Sequence, residues 1–328
     1  MWKWIKRLAL GCICLIAVLL LSGAAYQFIS TQIDENAYPP PGKLVDVGGY
    51  RLHSNCSGKG GPTVVFDSGM GCNSLEWALV QPEVSKFTRC YSYDRAGNGW
   101  SDESPLERTS QNIVDELHAL LKNAGIPGPY ILVGHSFGGA NVLLYASRYP
   151  DEVAGIVLVD SSHEDQLKKM PRMPQQNADV VLFLTYVGGA RLLTYLPAYN
   201  KTIEMFPDEI QKMYRAKTCT NRFIKTVFKE ISLLDQSFDQ LKAVGVNLGD
   251  KPLIVITAGK PVKGDEVGLS EEQADEMTSV WKVLQKDLVT KSTKGKQVIA
   301  EHSGHMITRE QPEIIVEAIR KMITEVGS

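Results

Sequence analysis

Two hydrophobic patterns divide the chain. Leu8 to Ile29 runs LALGCICLIAVLLLSGAAYQFI without a charged residue, and as a helix rising about 1.5 Å per residue it reaches roughly 30 Å, one hydrocarbon core. Beyond it, apolar residues come in short bursts punctuated by glycine and proline. Lys43–Val47 and Tyr50–Asn55, flanking Gly48-Gly49, predict a hairpin, while Thr63–Phe66 and Arg89–Tyr93 predict buried strands. Tyr130–Val133 and Ile156–Val159 are continuous apolar runs, the pattern of parallel strands covered on both faces. Leu253–Thr257 and Gln297–Ala300 extend the series.

Helical periodicity fills the intervals. Ser110 to Asn123 places Ile113, Leu117, Leu120 and Leu121 on one face and stops at Gly125. Ser270 to Leu288 opens on a Ser270–Gln273 capping pair. Strands alternating with helices predict an α/β fold, a doubly wound and mostly parallel sheet. Over residues 161–250 the alternation lapses, and Met170, Met173, Leu182, Phe183, Tyr186, Tyr195 and Phe206 are spread through amphipathic, helical sequence. An insertion far beyond ordinary connection length tends to be functional, so residues 161–250 are expected to form a helical cap on a core of residues 43–160 and 251–328. Residues 1–42 make an N-terminal membrane anchor or signal segment plus a spacer. Pro39, Pro40 and Pro41 predict that Asp34 to Gly42 is extended, not helical.

Charge settles the orientation of the apolar run more than the nature of any partner. Lys3, Lys6 and Arg7 precede it, and the positive-inside rule keeps that end cytoplasmic and the rest of the chain extracytoplasmic. Ser22-Gly23-Ala24 offers the small residues of a signal-peptidase site, which would yield a secreted protein lacking residues 1–24. The length of the run favours an uncleaved anchor instead. Elsewhere 35 Lys and Arg balance 37 Asp and Glu, and a net charge of −2 gathers no polyanion, so no nucleic-acid partner is expected. Cys12 and Cys14 lie within the run, and Cys56, Cys72, Cys90 and Cys219 lack the paired spacing of a zinc site.

The chemistry concentrates at Gly134-His135-Ser136-Phe137-Gly138, which follows a strand and opens a helix. A serine held on a sharp strand-to-helix turn needs small neighbours two residues to either side, and Gly134 and Gly138 supply them. The helix N-terminus brings N–H groups to where negative charge would develop. Ser136 is therefore the candidate nucleophile. Its base is expected at His305, in Glu301-His302-Ser303-Gly304-His305 after the last strand. His302 sits nearer the strand end, and His53, His118, His163 and His135 have no loop context suited to a base. For the acid, Asp160 closes the strand Ile156–Val159, whereas Asp265 lies in the loop after Leu253–Thr257. Asp160 is favoured and Asp265 is the alternative, because sites in α/β sheets gather at strand carboxyl ends. The N–H groups of Phe137 and of Met70, within Asp67-Ser68-Gly69-Met70-Gly71, are the candidate oxyanion donors.

Taken together, GHSFGG around Ser136, YDRAGNGWSD from Tyr93, DSGMG from Asp67 and SGH ending at His305 resemble the α/β-hydrolase superfamily, in its serine esterase and lipase-like branch with a helical cap. The resemblance runs from Lys43 to the C-terminus. Two departures stand out. Asp67-Ser68-Gly69 replaces the histidine-glycine pair usual at the oxyanion loop, and the family's common acid position falls near Val262, a second reason to assign Asp160. What the resemblance implies is carboxylic ester hydrolysis through an acyl-enzyme on Ser136, acting on a small ester or acyl substrate without metal or organic cofactor. A proline-releasing aminopeptidase, a lipase and a carbon–carbon bond hydrolase are alternatives of the same fold, and a catalytically silent binding relative is the rival of another class. The family's strand order would also bring Cys56 and Cys90 into neighbouring antiparallel strands, where they could pair.

Overall fold

The computed structural model describes residues 1–172, 174 and 176–327, so Met173 lies outside the described residues. Among these residues the strands are β1 (Lys43–Asp46), β2 (Arg51–Ser57), β3 (Thr63–Asp67), β4 (Cys90–Tyr93), β5 (Tyr130–His135), β6 (Val153–Val159), β7 (Leu253–Ala258) and β8 (Gly295–Ala300). They form one sheet in the order β1-β2-β4-β3-β5-β6-β7-β8. β2 runs antiparallel to β1 and β4, and every pair from β4 to β8 is parallel. The helices that matter below are α1 (Trp2–Ala37), α2 (Ser110–Asn123), α3 (Phe137–Arg148), α4 (Ala178–Tyr186), α5 (Gly189–Leu193), α6 (Pro197–Ile203), α7 (Asp208–Thr218), α8 (Asn221–Ser232), α9 (Leu234–Val244), α10 (Glu271–Val289) and α11 (Pro312–Val326).

The chain forms two compact units, Met1–Pro39 with Gln176–Lys225, and Pro40–Gln175 with Thr226–Ser328. The second unit contains the sheet, whose strands bury alternate residues on opposite faces, as the pleat requires. Val65, Leu132, Leu158 and Val255 pack with Leu117 and Leu121 of α2 and Leu143 of α3. Val64, Ile131, Val157 and Ile254 pack with Ile315, Ile319 and Met322 of α11. Each fully buried aliphatic side chain contributes about 1.5–3 kcal/mol, and both layers are needed because strands this apolar cannot leave either face in water. The expected doubly wound α/β sheet is the fold observed.

Element ends differ from expectation where tertiary contacts override local signals. β5 continues through Gly134 to His135, paired with Leu158 and Val159 of β6, and so delivers Ser136 at the sheet edge. α1 continues through Ala37, with the Tyr38 N–H donating to the Asp34 carbonyl, so extended chain is confined to residues 38–42. The prolines stop the helix only where they stand, and Asp34 is held in helical geometry by its ion pair with Arg191 of the same unit. Cys56 lies opposite Tyr91 and Cys90 opposite Ser57, which puts the two cysteines on opposite faces of the sheet. Both are free thiols, Cys56 exposed and Cys90 buried.

α10 starts with a complete capping box: the Ser270 hydroxyl accepts from the Gln273 N–H at 3.2 Å and the Gln273 side chain accepts from the Ser270 N–H at 3.1 Å. Ser270→Ala should therefore destabilise this unit by about 1 kcal/mol, read as a lower urea midpoint with an unchanged slope.

Candidate active site

Ser136 sits between the last residue of β5 and the first of α3 with φ 51° and ψ −122°. Its N–H donates to the Val159 carbonyl at 3.1 Å and its carbonyl accepts the Ser162 N–H at 2.9 Å, which stitches the turn to the end of β6. The flanking glycines are a steric requirement. A Cβ on Gly134 would lie 2.5 Å from the Gly138 carbonyl oxygen, and one on Gly138 would lie 2.3 Å from the Asp67 carbonyl oxygen. Phe137 is the first residue of α3, where a backbone N–H has no partner within the helix.

Asp160 follows directly on β6 with φ 40°. Its N–H donates to the Ile256 carbonyl at 2.7 Å. Its buried carboxylate is fully used: Oδ1 accepts the Ala258 N–H and the Trp281 indole N–H, each at 2.9 Å, and Oδ2 lies 2.7 Å from His305 Nδ1. His305 stands in the loop after β8 with its side chain 45% exposed. Its ring is flanked by His135, with centroids 4.8 Å apart, and edge-on by Trp281 at 6.0 Å. The structure thus joins Asp160 to His305. Asp265 is exposed in the first turn of the short helix Gly264–Val267.

The loop carrying Met70 lies against the nucleophile turn, for a Cβ on Gly69 would meet His135 Nδ1 at 2.9 Å and Ser136 Cβ at 3.4 Å. Buried Arg95 fixes it. The guanidinium donates to Asp67 Oδ1 at 2.8 Å, the Ser68 carbonyl at 2.5 Å, the Gly69 carbonyl at 2.8 Å and Glu230 Oε1 at 3.0 Å. Tyr93 donates to the other Asp67 oxygen at 2.9 Å. Burial pushes the Asp67 carboxyl up to about 6 even though Arg95 and Tyr93 pull it down. Asp94 is equally occupied, 2.8 Å from His53 Nδ1 and accepting the Ser74 and Trp100 N–H groups. His118 and His163 pair with Glu152 and Asp287 at 3.1 and 2.8 Å. The segment from Tyr93 is therefore the frame of the site.

Two buried glutamates, Glu76 and Glu230, escaped the sequence. Glu76 is buried in a short turn of 3₁₀ helix, where Oε2 accepts the Gly69 N–H at 2.8 Å and Oε1 lies 2.7 Å from His135 Nδ1. On the far side of the ring, His135 Nε2 donates to the His305 carbonyl at 2.9 Å. One chain of contacts therefore links the Asp67–Gly71 loop, the turn bearing Ser136 and the loop bearing His305. Burial opposes charge on both partners, but their mutual attraction wins, holding Glu76 at about 2 and raising His135 above 6.5. Nothing in Ser74-Leu75-Glu76-Trp77 distinguished this glutamate beyond its apolar neighbours.

A twisted parallel sheet with a strained serine and a carboxylate–histidine pair at its carboxyl edge is the arrangement of one large hydrolase class. The model of the alpha/beta hydrolase family matches residues 64–318. The chain belongs to that family. Among curated proteins it is 27% identical to the uncharacterized protein YqjL of Bacillus subtilis over 84% of this chain and 90% of that one. Among solved structures it is similar to a thermophilic esterase from Thermogutta terrifontis, with 19% identity, a TM-score of 0.61 and coverage of 87% of this chain and 99% of the other. It is also similar to the N-formylmaleamic acid deformylase of Pseudomonas putida, with 18% identity, a TM-score of 0.58 and coverage of 85% and 99%.

The buried Glu76–His135 pair makes stability depend on pH. Glu76 has a folded pKa below its ordinary 4.5, so its contribution is present above pH 4.5 and lost as pH falls toward 2. His135 is raised above 6.5, so its contribution is complete below pH 6.5 and lost as pH rises through the folded value. The difference in melting temperature between parent and Glu76→Gln should therefore be widest between pH 4.5 and 6.5 and narrow on both sides. Glu76→Ala, which strands the buried imidazolium, should cost about 3–5 kcal/mol at that plateau.

Proposed function

We propose that this chain is a serine hydrolase that cleaves carboxylic esters through an acyl-enzyme on Ser136, with His305 as base, Asp160 as the acid that orients it, and the Phe137 and Met70 N–H groups as oxyanion donors. The observation that carries the reading is the contact of 2.7 Å between buried Asp160 and half-exposed His305 beside the strained turn that bears Ser136. Asp160 holds Nδ1 protonated, which leaves Nε2 as the basic nitrogen. His305 Nε2 takes the Ser136 proton as Oγ attacks the ester carbonyl, and gives it to the departing alkoxide. Water then attacks the acyl-enzyme, His305 accepts its proton, and the acid leaves with Ser136 regenerated. Burial of the Asp160 carboxylate behind three hydrogen-bonding contacts favours orientation of the imidazole over any second role in binding.

We further propose that α1 spans a membrane with Lys3, Lys6 and Arg7 on the cytoplasmic side, so that the hydrolase unit is extracytoplasmic. Its apolar residues are exposed along the helix, as a lipid-facing span requires.

A fluorophosphonate probe should label the parent at Ser136 and leave Ser136→Ala unlabelled; a folded parent that resists labelling defeats the proposal. Asp160→Asn should lower ester turnover by about 10⁴-fold with its substrate affinity little changed, whereas Asp265→Asn should remain near the parent rate. The reverse pattern would assign the acid to Asp265.

A further inference from the structure

The unit made of Met1–Pro39 and Gln176–Lys225 joins α1 to the inserted helices by a tight seam. A Cβ on Gly23 would come 2.4 Å from the Val187 carbonyl oxygen, and one on Gly188 would come 2.9 Å from the Tyr26 ring. The end of α4 thus meets α1 backbone to backbone. One turn further on, Gln27 is buried, its side-chain amide donating to the Cys219 carbonyl at 2.9 Å and accepting from Arg191 Nε at 3.3 Å. Arg191 also donates to Thr31 Oγ1 at 3.2 Å and pairs with Asp34. Gln27, Thr31 and Asp34 of α1 are thus each matched by a partner in this seam.

The level of the seam along α1 matters. Gly23 lies about 9 Å inside the Ile29 end of the apolar run at about 1.5 Å per residue. Anything packed on Gly23 shares that depth. From Ala178 to Tyr199 the only charged residues are Asp179 and Arg191, and Arg191 is turned into the seam. Phe183, Leu192, Leu193 and Leu196 are nevertheless 49–59% exposed, with Tyr186 and Tyr195 exposed beside them. Soluble surfaces scatter such residues singly. Here they are clustered on α4, α5 and the start of α6, in a stretch with almost no charge, fastened to an apolar helix below the end of its apolar run.

We infer that α4 and α5 are seated in the headgroup and upper acyl region of the same phospholipid bilayer that α1 crosses. The inserted helices are then a membrane-contacting platform, with Tyr186 and Tyr195 at the level where aromatic side chains favour the interface. A depth of about 5–10 Å is usual for helices that lie in this boundary, and the seam imposes it through the Gly23–Val187 contact. Gln27, Thr31 and Asp34 lie at and just beyond the end of the apolar run, and their pairing within the unit leaves these side chains satisfied where water is excluded. This inference rests on the proposal that α1 spans a membrane.

The test uses the full chain in phosphatidylcholine vesicles, with the exposed Cys12, Cys14 and Cys56 replaced by serine and one nitroxide per variant at Phe183→Cys, Leu192→Cys or Leu196→Cys. Leu15→Cys on α1 reports the anchor and Lys282→Cys on α10 reports water. Collision of the nitroxide with oxygen should exceed collision with a water-soluble nickel chelate several-fold at 183, 192 and 196, as at 15, and the order should invert at 282. Nickel access at 183, 192 and 196 with lipid access retained at 15 overturns the platform and leaves the anchor standing. Nickel access at 15 overturns the anchor itself. Shielding of 183, 192 and 196 from both reagents means that protein, not lipid, covers the face, and also overturns the platform. Circular dichroism matching the parent certifies that each variant retains its fold.

Discussion

The candidate active site depends on the place where β5 and β6 end side by side. Among the described residues, the non-glycine positions with positive φ are Ser136 and Asp160, each the first residue beyond one of these neighbouring strands. Such conformations cost about 1–3 kcal/mol each and persist only when their surroundings overdetermine them. Here the surroundings are the sheet itself. Ser136 donates to Val159, Ser162 donates back to Ser136, and Asp160 donates to Ile256 on the next strand. The same ladder that holds the core together thus sets a nucleophile candidate and a carboxylate at a fixed separation, and the loop after β8 brings His305 onto that carboxylate.

Around this edge the protein uses buried charge where loops would otherwise be loose. Arg95 spans Asp67, Glu230 and the Ser68 and Gly69 carbonyls, and the Glu76–His135 pair ties their loop to the one bearing His305. Burying charged groups is costly unless each is matched by partners in good geometry. In return, the loops that follow β3, β5 and β8 are tied to one another.

The sheet was legible in the sequence because its strands are nearly pure apolar runs bounded by glycine and proline, and the serine turn was legible because its spacing is a steric rule. The placement of Asp160 at a strand's carboxyl end is readable from the apolar run Ile156–Val159. Glu76 and Glu230 are not, because a buried glutamate is recognised only by its partners, Gly69 and His135 in one case and Arg95 in the other, and those lie far away in the chain. The end of α1 was misjudged for a related reason. Pro39 to Pro41 predict where a helix must stop, but Asp34 is kept helical by Arg191, a contact that no local pattern announces. The association of the N-terminal helix with residues 176–225 likewise rests on Gly23, Gln27 and Gly188 meeting distant neighbours.

We propose that this edge turns Ser136 into an acyl carrier. Mixing the chain with p-nitrophenyl acetate, quenching in acid and mapping the peptides by mass spectrometry tests it most directly. A rapid burst of p-nitrophenol with a single acetyl group on the peptide containing Ser136 is expected, absent from Ser136→Ala and His305→Ala. Turnover with no acylated peptide, or an acetyl group on another residue, would contradict it.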